Sequence, residues 1–210
     1  PLLQAFYNSF YIVFFSIAGQ LLISSFAAYA FAKIDFKGKN LVFLLFLSSM
    51  MVPTQVTIIP RFMLFKSIGL YNSLWAIILP TLFGATSIFM LRQFYMGLPD
   101  DLMEAAKIDG ANHFQIYFRV MFPQATPIFG ALFLTQWVSI WNSYDSALVY
   151  LPNLPTLPVG IYQFNTEMIY KARLDILFAA CVIIAIPAIV LFIVFNKVIT
   201  TNVSVGGLKG

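Results

Sequence analysis

The chain has 210 residues, of which 60% are hydrophobic and only 10% carry a charge. Soluble domains carry about 25% charged and about 45–50% apolar residues, so this chain lacks the polar groups to cover the surface of a soluble domain. Intrinsic disorder is excluded for the same reason. The composition predicts a membrane protein, and the net charge of +4 fits basic cytoplasmic loops better than a nucleic-acid partner.

Five apolar stretches are long enough for spanning helices, which need about 20 residues each. None of them alternates apolar and polar residues as a barrel strand does, so the predicted fold class is all-α, a polytopic helical membrane protein. We predict a single membrane domain over residues 1–210, with spans at residues 9–32, 41–59, 74–91, 127–150 and 176–195. Kinks are predicted at Pro53, Pro80 and Pro187.

The basic residues of the connections predict the orientation in the membrane. Eight Lys and Arg residues fall on one side of the five spans and four on the other. The positive-inside rule therefore places residues 33–40, residues 92–124 and the C-terminal tail in the cytoplasm. The chain starts with Pro1 instead of Met, from which we expect the natural chain to start further upstream.

Two spans carry polar residues on one face. In the first span, Ser16, Gln20, Ser24 and Ala28 recur every four residues, which predicts a close helix–helix contact. In the fourth span, a polar stripe lies on one helical face at i, i+4, i+7 and i+11 and consists of Thr135, Ser139, Asn142 and Ser146.

An ionisable residue inside a membrane usually has a function, so Asp145 and its neighbours are candidates for a translocation path. The candidate residues are Gln136, Ser139, Asn142 and Asp145. A wet position of Asp145 at the outer interface explains the sequence equally well. Trp137 and Trp141 fit interfacial anchors or a platform that stacks on a sugar ring, and anchoring is the commoner role.

Residues 97–123, here called the acidic segment, lie between the third and fourth spans. They hold half of the acidic residues of the chain, which are Asp100, Asp101, Glu104 and Asp109. Asp101 with Glu104 predicts a capping box at the start of a short helix, and Gly110 predicts its end. Asn112 with Gln115 predicts the cap of a second short helix. A segment this polar stays outside the membrane, where it could dock a cytoplasmic partner or be an ordinary solvated loop.

The acidic segment resembles the EAA loop of the permease subunits of binding-protein-dependent ABC importers. Glu104-Ala105-Ala106, Gly110 and Pro123 have the spacing of that motif, while Val120 and Phe122 replace its Ile and Leu. Further stretches resemble the carbohydrate branch, most closely the second maltose-type sugar permease, and they lie at residues 27–33, 36–38, 91–94, 141–142, 157–160 and 206–210.

The resemblance implies the architecture and the partners. Such permeases have six spans with both ends in the cytoplasm of a bacterial plasma membrane, so this chain would lack the first span and keep the five-helix core. The implied partners are a second homologous permease, two ATPase subunits, an external solute-binding protein and the lipid bilayer. The ATPase contact would be carried by Glu104, Ala105, Ala106, Asp109, Gly110 and Pro123, and in the tail by Gly206, Gly207 and Lys209.

The chain itself is predicted to be non-catalytic. Its sequence has no Gly-x4-Gly-Lys-Ser/Thr phosphate loop and only one histidine, His113, so ATP and Mg would be bound by the partner ATPases and no cofactor by this chain. The predicted function is ATP-driven carbohydrate import by alternating access. The alternatives are an ABC permease for a non-sugar solute, a secondary transporter, for which intramembrane ionisable residues are too few, and a membrane enzyme.

Overall fold

The computed structural model describes residues 2–170 and 174–206, which form helices joined by turns, without a strand in those two ranges. The predicted all-α fold is therefore confirmed. In chain order the helices are α1 (Leu2–Lys33), α2 (Lys39–Ser48), α3 (Thr54–Ser67), α4 (Trp75–Thr81), α5 (Ala85–Met96), α6 (Asp101–Ile108), α7 (His113–Ile116), α8 (Phe122–Gln124), α9 (Thr126–Trp141), α10 (Asp145–Tyr150), α11 (Leu157–Tyr170) and α12 (Leu174–Gly206). A 3₁₀ turn (Ser49–Met51) follows α2, and a π-helical stretch (Tyr117–Met121) joins α7 to α8.

Two helical stretches of the described chain are long and apolar enough to cross a membrane, namely Leu3–Lys33 and Trp75–Met96. The pair Lys39–Met51 and Thr54–Ser67 passes the same test together, but its two halves are bent by 98°. A shorter apolar stretch, Ile184–Val194, lies within α12. Helices long and apolar enough to span a membrane are thus present, while the count of five spans stays a prediction.

Three predicted spans differ from the structure because they contain breaks. The second is interrupted at Pro53, where the ring removes a backbone donor and disfavours a helical conformation of the preceding Val52. The third is interrupted at residues 82–84, just after Pro80 instead of at it. The fourth is interrupted at residues 142–144, without a proline. Pro187, where a kink was predicted, lies inside α12, which is not interrupted between Leu174 and Gly206.

The described chain divides into two compact units. The first unit comprises Pro1–Ala18, Thr54–Thr81 and Leu134–Lys197. In it Tyr150 is buried against Phe65 and donates its hydroxyl hydrogen to the carbonyl oxygen of Ile58 at 3.0 Å. Ser9 Oγ accepts a hydrogen bond of 2.8 Å from the backbone N–H of Leu157, which ties α1 to the start of α11.

The second unit comprises Gly19–Pro53, Leu82–Phe133 and Val198–Gly210, and it contains the whole acidic segment. Its core consists of buried side chains from α1, α5, α6, α7, the π-helical stretch and α9. The helix break at residues 82–84 lies against Gln20, whose amide occupies the space that a Cβ on Gly84 would need. Gln20 Nε2 donates to Ser87 Oγ at 3.2 Å, so a polar contact accompanies this close backbone approach.

The polar stripe of the first span is a contact face, as predicted. Ser16, Gln20, Ser24 and Ala28 are all at most 4% exposed. Small side chains on one face let a neighbouring helix approach closely, which stabilises helix packing where water is absent. The face therefore serves packing.

Candidate functional site

Helix α6 of the acidic segment has one buried and one exposed face. Met103 is 4% exposed, and Ala106, three residues further on, packs against the same core cluster. The other side of the helix exposes Glu104, Ala105 and Ile108, of which Ile108 is 86% exposed. The exposed face of α6 thus consists of a small residue, an acid and an apolar side chain, while the opposite face is fixed by packing against the core.

The start of α6 is held by an ion pair that the sequence did not predict. Asp100 is the N-cap residue, and its Oδ1 accepts a hydrogen bond of 2.6 Å from Lys33 Nζ. The same ammonium group donates to the carbonyl oxygen of Leu98 at 2.8 Å, and the Lys33 side chain is only 6% exposed. The hydrogen bond and the charge of Lys33 lower the pKa of Asp100.

The predicted capping box of Asp101 and Glu104 is wrong. Because the N-cap is Asp100, the N3 position is occupied by Met103, which has no polar side chain to complete a box. The Asp100 side chain makes no capping hydrogen bond, since its carboxylate faces Lys33 instead. Glu104 is thereby left on the exposed surface of α6.

The predicted end of α6 is confirmed. Gly110 has a φ of +80°, a left-handed conformation that glycine adopts without a Cβ clash. Its N–H donates to Lys107 O at 3.0 Å, and the N–H of Ala111 donates to Ala106 O at 3.0 Å. This is the bond pattern of a Schellman motif, which pairs the last carbonyls of the helix and turns the chain sharply.

The predicted cap of the second short helix is also confirmed. Asn112 Oδ1 accepts from the backbone N–H of Gln115 at 2.9 Å, and Gln115 Oε1 accepts from the N–H of Asn112 at 2.8 Å. The reciprocal bonds form a capping box at the start of α7. The turn between α6 and α7 is therefore fixed on both sides, by Gly110 and by Asn112.

Ser25, Tyr29 and Lys33 of α1 make polar side-chain contacts with the acidic segment. Besides the pair of Lys33 with Asp100, Tyr29 Oη lies 3.2 Å from His113 Nδ1, and Tyr117 Oη donates to Ser25 Oγ at 2.7 Å. Burial raises the pKa of Tyr117, so its hydroxyl stays neutral and able to donate. Ser25, Tyr29 and Lys33 were not among the residues predicted for the site, although their four-residue spacing on α1 was a signal.

Ser25 also connects the acidic segment to α5. Its Oγ lies 2.7 Å from Tyr95 Oη, and the serine and both tyrosines are at most 1% exposed. Phe26 stacks on Tyr117 with ring centroids 4.4 Å apart. The π-helical stretch that follows α7 is thus held by hydrogen bonds and by aromatic packing.

The candidates for a translocation path lie mostly on the surface of the chain. Ser139, Asn142 and Asp145 are exposed, and Gln136 is half-buried. Asn142 Nδ2 donates to Val138 O at 2.8 Å, and Ser143 Oγ donates to Asp145 Oδ1 at 3.3 Å, so these hydrogen bonds are local. We call these four candidates the polar surface.

The continuous stripe predicted from Thr135 to Ser146 is wrong. Helix α9 ends at Trp141, and the chain leaves the helix over residues 142–144. Ser146 therefore belongs to a different helix, α10, in whose first turn Asp145 lies. A carboxylate in that position is favoured by the N-terminal end of the helix dipole.

The two tryptophans of α9 are core residues. Trp137 is 4% and Trp141 1% exposed, and their rings stack with centroids 5.7 Å apart. Phe10 packs edge-on against Trp137 at 5.7 Å, and Phe6 packs edge-on against Trp141 at 6.1 Å. Both suggested roles, interfacial anchor and sugar platform, need an accessible ring, so the structure contradicts them.

The remaining predicted site residues are Pro123 and three residues of the C-terminal tail. Pro123 is exposed near the start of α8, which follows the π-helical stretch directly. Gly206 is the last residue of α12, while Gly207 and Lys209 lie outside the described residues. Among the described residues, no group of three His, Cys, Asp or Glu side chains could hold a metal ion.

Comparison with known proteins decides which family has this segment. The model of the family described as the binding-protein-dependent transport system inner membrane component matches residues 20–205. The chain belongs to this family. The resemblance of the acidic segment to the EAA loop of such permeases is thus supported by a match over most of the chain.

Characterised relatives of the permease agree over nearly its whole length. The arabinooligosaccharides transport system permease protein AraQ of Halalkalibacterium halodurans is 37% identical over 207 residues, which cover 98% of this chain and 74% of that protein. The galactooligosaccharides transport system permease protein GanQ of Bacillus subtilis is 31% identical over 211 residues, which cover 99% of this chain and 74% of that protein.

A solved structure has the same fold as the permease. It is the crystal structure of a bacterial ABC transporter involved in the import of the acidic polysaccharide alginate. The TM-score is 0.80 at 25% sequence identity, over 93% of this chain and 74% of that chain. The permease is accordingly an inner-membrane component of an ABC transporter.

Proposed function

We propose that the chain is the permease subunit of an ATP-driven carbohydrate importer and that the acidic segment is its contact with an ATPase subunit. The observation that carries this proposal is the geometry of α6. Met103 and the ion pair of Lys33 with Asp100 hold the helix from behind, while Glu104 and Ala105 stay exposed. A short helix held in this way offers a partner protein a firm surface.

The side chains of this surface suit a helix that enters a groove. Ala105 and the turn at Gly110 let a partner approach the backbone closely, and Ile108 adds an apolar contact at the end of the helix. Glu104 and Asp109 add negative charge, which favours a groove lined by basic or hydrogen-donating groups.

The carbohydrate class is supported by the relatives. Two are named for the transport of arabinooligosaccharides and galactooligosaccharides, and the structural neighbour imports an acidic polysaccharide. We infer an oligosaccharide as the substrate of this chain. The partners would be a second homologous permease, two ATPases that bind ATP and Mg, and an external solute-binding protein.

The mechanism follows from these parts. When ATP closes the ATPase pair, the docked α6 moves with it and the helix bundle opens to the outside. The solute-binding protein then delivers the sugar, and hydrolysis returns the bundle to the inward-open state. Because the ATPase subunits are cytoplasmic, this mechanism places the acidic segment and the C-terminus, including Gly206, Gly207 and Lys209, in the cytoplasm.

Substitution of Glu104 tests the ATPase contact. The complex with its cognate partners is reconstituted in liposomes, and uptake of arabinotriose is measured together with ATP hydrolysis. Glu104→Ala and Glu104→Arg should lower uptake and the capture of the ATPase, while Asp101→Ala, an exposed acid of the same helix turn, should leave both unchanged. Normal uptake with Glu104→Arg would contradict the proposal.

The polar surface is the second part of the proposal. Its exposed amide and carboxylate groups fit a surface that faces a second permease across a path for hydroxyl-rich solutes. We expect the combined change of Gln136, Asn142 and Asp145 to Leu to lower uptake and to alter the preference among mono- and oligosaccharides. Unchanged uptake and preference would remove the polar surface from the path.

A further inference from the structure

Near its C-terminal end, one face of α1 contacts the acidic segment. Ser25, Tyr29 and Lys33 recur every four residues, so they lie on one side of the helix over about 12 Å. Lys33 contacts the start of α6, Tyr29 contacts the first residue of α7, and Ser25 contacts the π-helical stretch. We call these three residues the α1 face.

The contacts of the α1 face fix a position more firmly than apolar packing does. Apolar side chains tolerate sliding because the hydrophobic effect has no direction, whereas a hydrogen bond weakens quickly when its distance or angle changes. Lys33 makes the strongest of the contacts, since its ammonium is charged and donates both to Asp100 Oδ1 and to Leu98 O.

Helix α1 is also suited to carry a displacement. It runs from Leu2 to Lys33 without an internal proline, whereas the second, third and fourth predicted spans are each broken. Long helices curve gently, but a sharp kink requires a proline or an interruption of the hydrogen-bond ladder, and α1 contains no proline. A push on the α1 face is therefore passed along the end of α1 without being lost at a kink.

We propose that the α1 face receives the movement of the acidic segment and that Lys33 is the positioning residue that keeps α6 in register with α1. This inference rests on the proposed function, in which an ATPase subunit moves α6. It adds that the acidic segment and the end of α1 move together as one body through the transport cycle.

The first test removes the charge of Lys33. In proteoliposomes with the complete transporter, we expect Lys33→Met to lower the number of arabinotriose molecules imported per ATP hydrolysed by about tenfold, the factor that the loss of one or two charge-assisted hydrogen bonds brings. Lys33→Arg should keep most of the coupling. The control is Asp35→Asn, which breaks the exposed pair of Asp35 with Lys39 and should change nothing.

The second test ties the two elements together. In a Cys181→Ser background, which removes the single native cysteine, Lys33→Cys and Asp100→Cys are joined by a short thiol-specific cross-linker. We expect poor coupling in the reduced double variant and recovery after cross-linking, because the covalent tie replaces the ion pair. The same cross-linker on Asp35→Cys with Lys39→Cys, within one turn of chain, should have no effect.

The outcomes separate this inference from the proposed function. If cross-linking abolishes uptake, or if Lys33→Met imports normally while Glu104→Arg does not, the two elements do not have to move as one body and the inference fails alone. If wild-type permease captures no ATPase and Glu104→Arg is fully active, the proposed function fails first.

Discussion

The acidic segment and the polar surface are both exposed and polar, but the protein holds them in different ways. The acidic segment is anchored by three contacts with distant parts of the chain. Met103 is buried in the core, Asp100 forms an ion pair with Lys33, and the hydroxyl of Tyr117 donates to Ser25. On the polar surface, the hydrogen bonds of Asn142 and Asp145 join residues at most four positions apart.

This difference indicates two kinds of work. A surface that transmits force must be fixed from behind, or the displacement is lost in local rearrangement. A surface that a solute passes needs only weak and replaceable contacts, since tight binding would hold the solute back. The predictions below change one anchor of the acidic segment at a time and compare it with a neighbour that anchors nothing.

The largest effect is expected at the buried side of α6. Met103→Ala should lower the free energy of unfolding by about 2–5 kcal/mol, because a fully buried large side chain is removed from the core. Ile108→Ala on the exposed side should change it by no more than about 0.5 kcal/mol but weaken ATPase capture. Thermal unfolding of the purified permease in detergent measures the first effect, and equal losses in both variants would contradict the two-faced helix.

The next effect is expected at the turn that ends α6. Gly110→Ala should cost about 1–2 kcal/mol, since alanine resists the left-handed conformation. Gly38→Ala is a matched control because Gly38 has a φ of +83° and, like Gly110, has open space around its Cβ position. Both variants should lose similar stability, whereas only Gly110→Ala should impair uptake. Impaired uptake in both would point to stability alone as the cause.

A smaller effect is expected at the cap of α7. Asn112→Ala removes the side-chain acceptor of the capping box and should cost about 1 kcal/mol. Asp101→Ala, which removes an acid that caps nothing, should cost only a few tenths of a kcal/mol through the helix dipole. Chemical unfolding of both purified variants checks this ranking, and a larger loss with Asp101→Ala would reverse it.

Local signals in the sequence predicted the parts of the site that depend on local chemistry. Gly110 ends α6 and Asn112 with Gln115 caps α7, because a left-handed glycine and a capping box involve residues within a few positions of each other. The prediction of a capping box at Asp101 was wrong because the N-cap is Asp100, whose carboxylate pairs with the distant Lys33. The third helical position is therefore Met103, which has no polar side chain.

Long-range pairing also explains the other misses. The spacing of Ser25, Tyr29 and Lys33 was visible in the sequence, but their partners lie 65 to 92 residues away and no local rule connects them. The break after Trp141 contains no proline, so no residue in the sequence marked it. The apolar helices could be predicted from composition and hydropathy, because a spanning helix depends on the average hydropathy of about 20 residues and not on a particular long-range contact.

The smallest effect concerns the ion pair itself and appears only in acid. The hydrogen bond and charge of Lys33, with a further contribution from the charge of Lys107, hold the pKa of Asp100 below its ordinary value of 3.8. Its contribution to stability is therefore complete above about pH 5 and is lost as the pH falls through the lowered pKa.

Wild type and Asp100→Asn should accordingly differ by a constant Tm from about pH 7 to about pH 5, and the difference should shrink towards zero in stronger acid. Tryptophan fluorescence of the detergent-purified proteins measures both melting curves, with Asp35→Asn as the control that removes an exposed carboxylate. A Tm difference that persists at low pH would mean that the Asp100 side chain stabilises α6 without its charge. The contrast with the polar surface would then depend on the packing of Met103 and on the hydroxyl of Tyr117.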